Sequence, residues 1–180
     1  MNRLGVALAV LLAGAVPGLV AAQVPEPQGF HGEPYRGKTP ETLAGARVVG
    51  ADEARRLHAQ GVPFIDVLPR MARPANLPEG TLWNAPPHLS IPGATWLYDT
   101  GYDRLAPAEE TRLAQGLARL SGGDKAAQMV FFCKRDCWMS WNAARRAVAL
   151  GYRGVIWFPD GIEGWQEQGG ALEPVSPAAP

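Results

Sequence analysis

Four consecutive apolar residues, Met129-Val130-Phe131-Phe132, do most to limit what this chain can fold into. A strand with no polar alternation has both faces covered, which places it at the centre of a sheet with helices on either side. Its surroundings agree. Val48-Val49 reads as a short strand, and a helix is expected from Ala51 to Gln60, with Gly50 before it and Gly61 as its stop. Phe64-Ile65-Asp66-Val67 and Thr95-Trp96-Leu97 read as further strands. Pro107 to Leu120 reads as a helix with Leu113, Leu117 and Leu120 on one face and Glu109 and Glu110 in its first turn, where acids suit the helix dipole. A helix from Trp138 to Leu150, stopped by Gly151, leads to a last strand, Val155-Ile156-Trp157-Phe158. Strands separated by helices pair in parallel, because the crossover helix must cover the sheet. The expected fold is an open, doubly wound α/β sheet.

The flanks are read differently. Residues 1–22 hold a short basic start, the apolar run Leu4 to Val20, and the small residues of Val20-Ala21-Ala22, the pattern of a signal peptide cleaved before Gln23. Gly14, Pro17 and Gly18 interrupt the run, so it is not read as a membrane span. About 158 residues then remain, enough for one domain with its own core. Residues 23–46 carry four prolines and read as an extended, poorly packed arm; 47–170 form the domain; 171–180 read as a disordered Pro-rich tail. With 17 Lys and Arg against 17 Asp and Glu, the chain lacks the basic footprint of a nucleic-acid binder. Leu68 to Gly93 is a 26-residue stretch with six prolines, leaving the strand that ends at Val67. A loop of that length is either functional, here a lid over the sheet edge, or a passive insertion.

Chemistry concentrates in Phe132-Cys133-Lys134-Arg135-Asp136-Cys137-Trp138, which joins the central strand to a helix. Unpaired amides and positive dipole charge at a helix start favour an anion, so a thiolate there has a lowered pKa. Lys134 and Arg135 act in the same direction and Asp136 opposes them. Cys133 and Cys137 are the only cysteines. They read as a functional dithiol, with an inert bridge and a metal site as alternatives. A bridge closing so short a loop restrains the unfolded chain by about 2 kcal/mol, against about 4.7 for a 100-residue loop. Zinc would need two further ligands, and His31, His58 and His88 show no paired spacing. No metal or cofactor is expected. Covalent haem attachment and a thioredoxin layout both require C-x-x-C, and only 43 residues follow Cys137. Trp141, Trp157 and Trp165 read as packing residues, and His58 as a surface residue of its helix.

From Val48 to Gly169 the chain resembles the rhodanese-like family. Phe64-Ile65-Asp66-Val67 is similar to the family's strand ending in Asp-Val. Ile91-Pro92-Gly93-Ala94 is similar to its His-x-Pro-Gly-Ala turn, with Ser90 where His is usual. Met129 to Cys133 matches the strand that delivers the family's cysteine, and Gly161-Ile162-Glu163-Gly164-Trp165 its closing pattern. The resemblance implies that Cys133 forms a persulfide from a sulfane-sulfur donor and that loop amides hold the terminal sulfur. It also implies that Lys134 and Arg135 select the substrate, a sulfane-sulfur or thiol small molecule. Asp136 stands in place of a frequent Gly, and Met139 where related phosphatases carry Arg. Cys-x-x-x-Cys-Trp-Met-Ser-Trp-Asn, ending at Asn142, resembles one subgroup, the CXXCW-motif proteins associated with PQQ-dependent alcohol catabolism. That likeness implies a periplasmic protein with Cys137 as redox partner of Cys133, Trp138 shielding the pair or shaping a substrate slot, and a quinoprotein dehydrogenase or cytochrome as partner. Two further readings stay open: a thiol–disulfide protein that retains no sulfur, and a non-catalytic module of such a dehydrogenase system.

Overall fold

The computed structural model describes residues 23–178; the expected leader, 1–22, lies outside them. Among the described residues no helix is long and apolar enough to cross a membrane. In chain order the elements are β1 (Arg47–Val48), α1 (Ala51–Ala59), β2 (Phe64–Asp66), β3 (His88–Ser90), β4 (Thr95–Trp96), α2 (Pro107–Leu120), β5 (Met129–Phe132), α3 (Trp138–Ala149), β6 (Val155–Trp157), α4 (Gly161–Glu167) and β7 (Glu173–Val175). Five strands make one sheet in the order β1-β6-β5-β2-β4, every pair parallel, so the doubly wound α/β expectation holds.

Strand β5 sits at the centre and its four residues are fully buried. Successive side chains point to opposite faces. Met129 and Phe131 pack with Leu113 and Leu117 of α2 and Trp141, Ala143 and Ala144 of α3. Val130 and Phe132 pack on the other face with Ala54 and Leu57 of α1 and Ile162 and Trp165 of α4. Each aromatic so buried contributes about 1.5–3 kcal/mol. Trp141, Trp157 and Trp165 lie in these cores, as read from the sequence. His58 differs: its ring meets Phe64 and Trp165 edge-on and bonds to the Pro92 carbonyl at 2.7 Å.

Both flanking segments depart from expectation. The tail is ordered through residue 178: β7 pairs antiparallel with β3, and the Ala178 amide donates to the Trp96 carbonyl at 3.0 Å. It thereby covers the free edge of β4, where unpaired backbone groups would otherwise invite a second chain. The arm is packed as well. Leu43 is 2 % exposed in the core beneath α3, and Val24 and Tyr35 pack against it. Proline-rich segments lack periodicity, but their carbonyls still accept hydrogen bonds, and here helix α3 supplies donors.

Candidate functional site

The sheet delivers the cysteine loop. Asp66 is in register with both Phe132 and Trp96, so β2, β4 and β5 end at one edge, where open α/β sheets bind ligands. Cys133 follows β5 and Cys137 precedes α3; their Cα atoms are 6.4 Å apart and their sulfurs lie at disulfide distance. Both are buried, Cys133 at 0 % and Cys137 at 3 % exposure. The loop bends between them through Asp136, whose φ of 53° lies in the left-handed region that Gly occupies more cheaply. On the α4 side the Ile162 amide donates to the Cys133 carbonyl at 3.0 Å, and Gly161, at φ 54°, lies so close that a Cβ would fall 2.2 Å from that oxygen.

The arm closes the other side. Residues 35–37 run antiparallel to the loop: the Trp138 amide donates to the Tyr35 carbonyl and the Gly37 amide to the Asp136 carbonyl, each at 2.9 Å. The buried side chain of Asn142 accepts from the His31 amide and donates to the His31 carbonyl, both at 2.9 Å, and donates also to the Gly101 carbonyl. The His31 ring stacks on Trp138 with centroids 3.8 Å apart and 12° between planes. Farther along, Arg145 donates to the Gln28 carbonyl and Trp141 to the Thr42 carbonyl. The Tyr35 hydroxyl donates to Asp103, which holds that carboxyl below the usual carboxylate range, while burial and then Asp103 push the Tyr35 hydroxyl up. Residues 28–42 are therefore a strap fastened to α3. Trp138 is 4 % exposed and stacked against the His31 ring at the start of α3, in the same buried cluster as the two cysteines.

The two loop cations part company. The Arg135 guanidinium makes two bonds of 2.6 Å to Glu167 and lies 3.5 Å from Asp160. Its backbone amide donates to Glu163 at 2.9 Å. Glu167 raises the Arg135 pKa and is itself held down by Arg135. Arg135 thus ties the loop to α4 through Glu167 and Asp160. Lys134 lines a groove of about 980 Å³ over the strand ends. The Pro-rich stretch after β2 forms much of its wall, with Leu68, Met71 and Trp83, and Trp96, Asp99, Ile162 and the C-terminal tail also line it.

Residues 51–168 match the sequence model described as the rhodanese-like domain. The chain belongs to the rhodanese-like domain family. No curated protein matches it. Membership supports a sulfurtransferase-type or thiol-related role. At the same sheet edge the buried carboxylate of Asp66 bonds His88 at 2.7 Å and Ser90 at 2.5 Å, and takes the Leu68 amide at 2.9 Å. His88 also stacks on Trp96, centroids 4.0 Å apart. Sequence reasoning brought Cys133, Lys134, Asp136, Cys137 and Trp138 to one place. It missed His31 and Asn142, and it considered His88 of the long loop near the site without pairing it with Asp66.

Proposed function

We propose that this protein is a sulfur carrier in which Cys133 takes up sulfane sulfur and Cys137 discharges it. A dithiol reductant first opens the disulfide, leaving two thiols and an oxidised reductant. The Cys133 thiolate attacks the outer sulfur of a donor such as thiosulfate, forming a Cys133 persulfide and expelling sulfite. The Cys137 thiolate then attacks Sγ of Cys133. The S–S bond to the outer sulfur breaks, hydrosulfide leaves, and the disulfide closes; the two thiolates supply the two electrons that reduce the sulfane sulfur. One observation carries the reading: the two sulfurs lie at disulfide distance within one five-residue loop, so the second attack needs no diffusive encounter. A time course of sulfide release and intact mass after thiosulfate tests it on reduced protein. Wild type should release sulfide once and end oxidised, Cys137→Ser should accumulate a mass gain of one sulfur, and Cys133→Ser should do neither. Equal persulfide lifetimes in wild type and Cys137→Ser would remove Cys137 from the reaction. Rapid exchange with glutathione without any sulfur retention would favour a plain thiol–disulfide protein.

The proposal extends to place and company: an exported periplasmic protein serving PQQ-dependent alcohol oxidation beside a quinoprotein dehydrogenase or its cytochrome. Its support is the Val20-Ala21-Ala22 pattern after an apolar run and the likeness of Cys133 to Asn142 to the PQQ-associated subgroup. Mass analysis of the secreted protein should find Gln23 at the N-terminus, and a retained Met1 would overturn export with cleavage. Co-purification with a dehydrogenase or cytochrome checks the partner.

A further inference from the structure

The two cysteines are not equivalent places for a negative charge. Cys137 is the N-cap residue of α3, with an extended backbone at φ −124° and ψ 110°, and in the disulfide its side chain caps nothing. The Met139 and Ser140 amides, at the second and third helical positions, have no acceptor among the described residues. A side chain at an N-cap accepts from these amides, and the helix dipole adds to the attraction when that acceptor is an anion. Cys133 faces the opposite field. The carbonyl oxygens of Cys137 and Lys134 lie 3.4 and 3.6 Å from its Sγ. Carbonyl lone pairs oppose a charge on sulfur but accept from an S–H. The Cys137 carbonyl is also held in place: it accepts from the buried Ser140 hydroxyl at 3.2 Å, which itself accepts from the Trp157 indole at 3.1 Å. When the bond between the sulfurs breaks, its electron pair therefore leaves on Cys137, and the nucleophile stays on Cys133.

Burial limits what that nucleophile can be. Cys133 is 0 % and Cys137 3 % exposed, with the strap and the His31–Trp138 stack on one flank and Gly161 against the Cys133 carbonyl on the other. A peptide thiol such as glutathione must displace part of this cover, whereas hydrosulfide is one sulfur atom with one hydrogen. Its chemistry fits as well as its size. It brings to Cys133 an S–H that the two carbonyls accept, where sulfite and cyanide bring only lone pairs.

We propose that the oxidised protein takes up hydrosulfide directly. The hydrosulfide sulfur bonds to Cys133 Sγ, the Cys133–Cys137 bond breaks, and its electron pair goes to Cys137. The products are a Cys133 persulfide, which keeps the hydrogen, and a Cys137 thiolate received by the start of α3. The disulfide is the oxidant, so no other enters. The step runs the discharge of the sulfur-carrier reading backwards and rests on that reading, with excess hydrosulfide setting the direction.

The test mixes the oxidised full chain with excess hydrosulfide and quenches with iodoacetamide. Trypsin, cutting after Lys134 and Arg135, places the cysteines in separate peptides. The Cys133 peptide should carry one extra sulfur beneath its alkyl group, and the Cys137 peptide the alkyl group alone. This product should exceed its converse about tenfold, the effect of one charge-assisted hydrogen bond. The chain unfolded in urea should lose that bias. Hydrosulfide should also outrun glutathione and sulfite by a larger factor in the folded chain than in the unfolded one. Asn142→Ala, which loosens the strap, should narrow the gap to glutathione. Extra sulfur shared equally between the peptides, or mainly on Cys137, overturns the assignment of the leaving sulfur. A folded-chain preference no larger than the unfolded one overturns selection by burial. A disulfide that survives hydrosulfide, or that opens to two plain thiols, overturns the uptake itself. Thiosulfate loading of the reduced protein decides the sulfur-carrier reading separately, so either can fail while the other is measured.

Discussion

Gly161 shows how closely the loop is built against α4. A side chain there meets two penalties: a left-handed φ of 54° and a Cβ 2.2 Å from the Cys133 carbonyl oxygen. Gly169, at φ 75°, meets open space and so only the first. Ala at position 169 should therefore cost about 1 kcal/mol, and Gly161→Ala at least about 2 kcal/mol more than that, read from urea midpoints. Equal losses would mean that α4 does not press on the cysteine loop. Asp66 presents the opposite case, a fully buried carboxyl group partnered by the nearby Leu68 amide and by His88 and Ser90 of β3. Ser90→Ala removes one hydrogen bond to a charged acceptor and should lower stability by about 1.5–3 kcal/mol in the same assay. Part of this site was legible in the residues: two cysteines spaced for one loop, a helix start after Cys137, and cations beside them. The ion pair of Arg135 was not legible, because sequence order shows that a cation is near the loop but not that Glu167, 32 residues on, pairs with it.

Among the elements, legibility followed periodicity. Helix α2 spans Pro107–Leu120 as read, and β5 spans Met129–Phe132, because a 3.6-residue stripe and an unbroken apolar run each have one structural solution. The strap and β7 carry neither signal. Their hydrogen bonds run through backbone carbonyls to partners about a hundred residues away, such as Tyr35 to Trp138, and no side-chain pattern records that. The strap has a consequence for reactivity, since it covers one flank of two sulfurs that are almost without exposure. Weakening it should admit a reductant. Asn142→Ala, which removes the strap's side-chain anchor at His31, should raise the rate of disulfide reduction by a phosphine about fivefold or more, the factor that corresponds to about 1 kcal/mol. Unchanged rates would place the route of access on the groove side. Acid should act likewise. The folded pKa of Asp103 lies below its unfolded value, so its contribution is complete above about pH 4 and is lost as the pH falls toward the lower folded value. Phosphine reduction should accelerate through that window in wild type and not in Asp103→Asn. At the other end of the chain, truncation after Gly170 removes β7 and the Ala178–Trp96 bond. The bared edge of β4 should show as concentration-dependent self-association in sedimentation.

For the molecule as a whole the decisive question is whether the fold depends on its disulfide. Everything in the core argues that it does not. Phe131, Phe132, Trp141 and Trp157 are fully buried, the central sheet is closed on both faces by helices, and of its two hydrophobic clusters one extends well beyond the cysteines and the other does not include them. The bridge spans a sequence separation of 4, so it removes little freedom from the unfolded chain, about 2 kcal/mol in the chain-entropy account. The sulfur-carrier proposal needs this arrangement, because a carrier that unfolded on each reduction would expose its core in every cycle. Urea unfolding of the oxidised and reduced protein should therefore give two cooperative transitions of equal slope, the reduced one displaced by about 2 kcal/mol. Cys137→Ser should fall close to the reduced wild type. Loss of cooperativity on reduction would mean that the cysteine loop staples the fold, and Cys137 would then have no freedom to leave Cys133 and return to it.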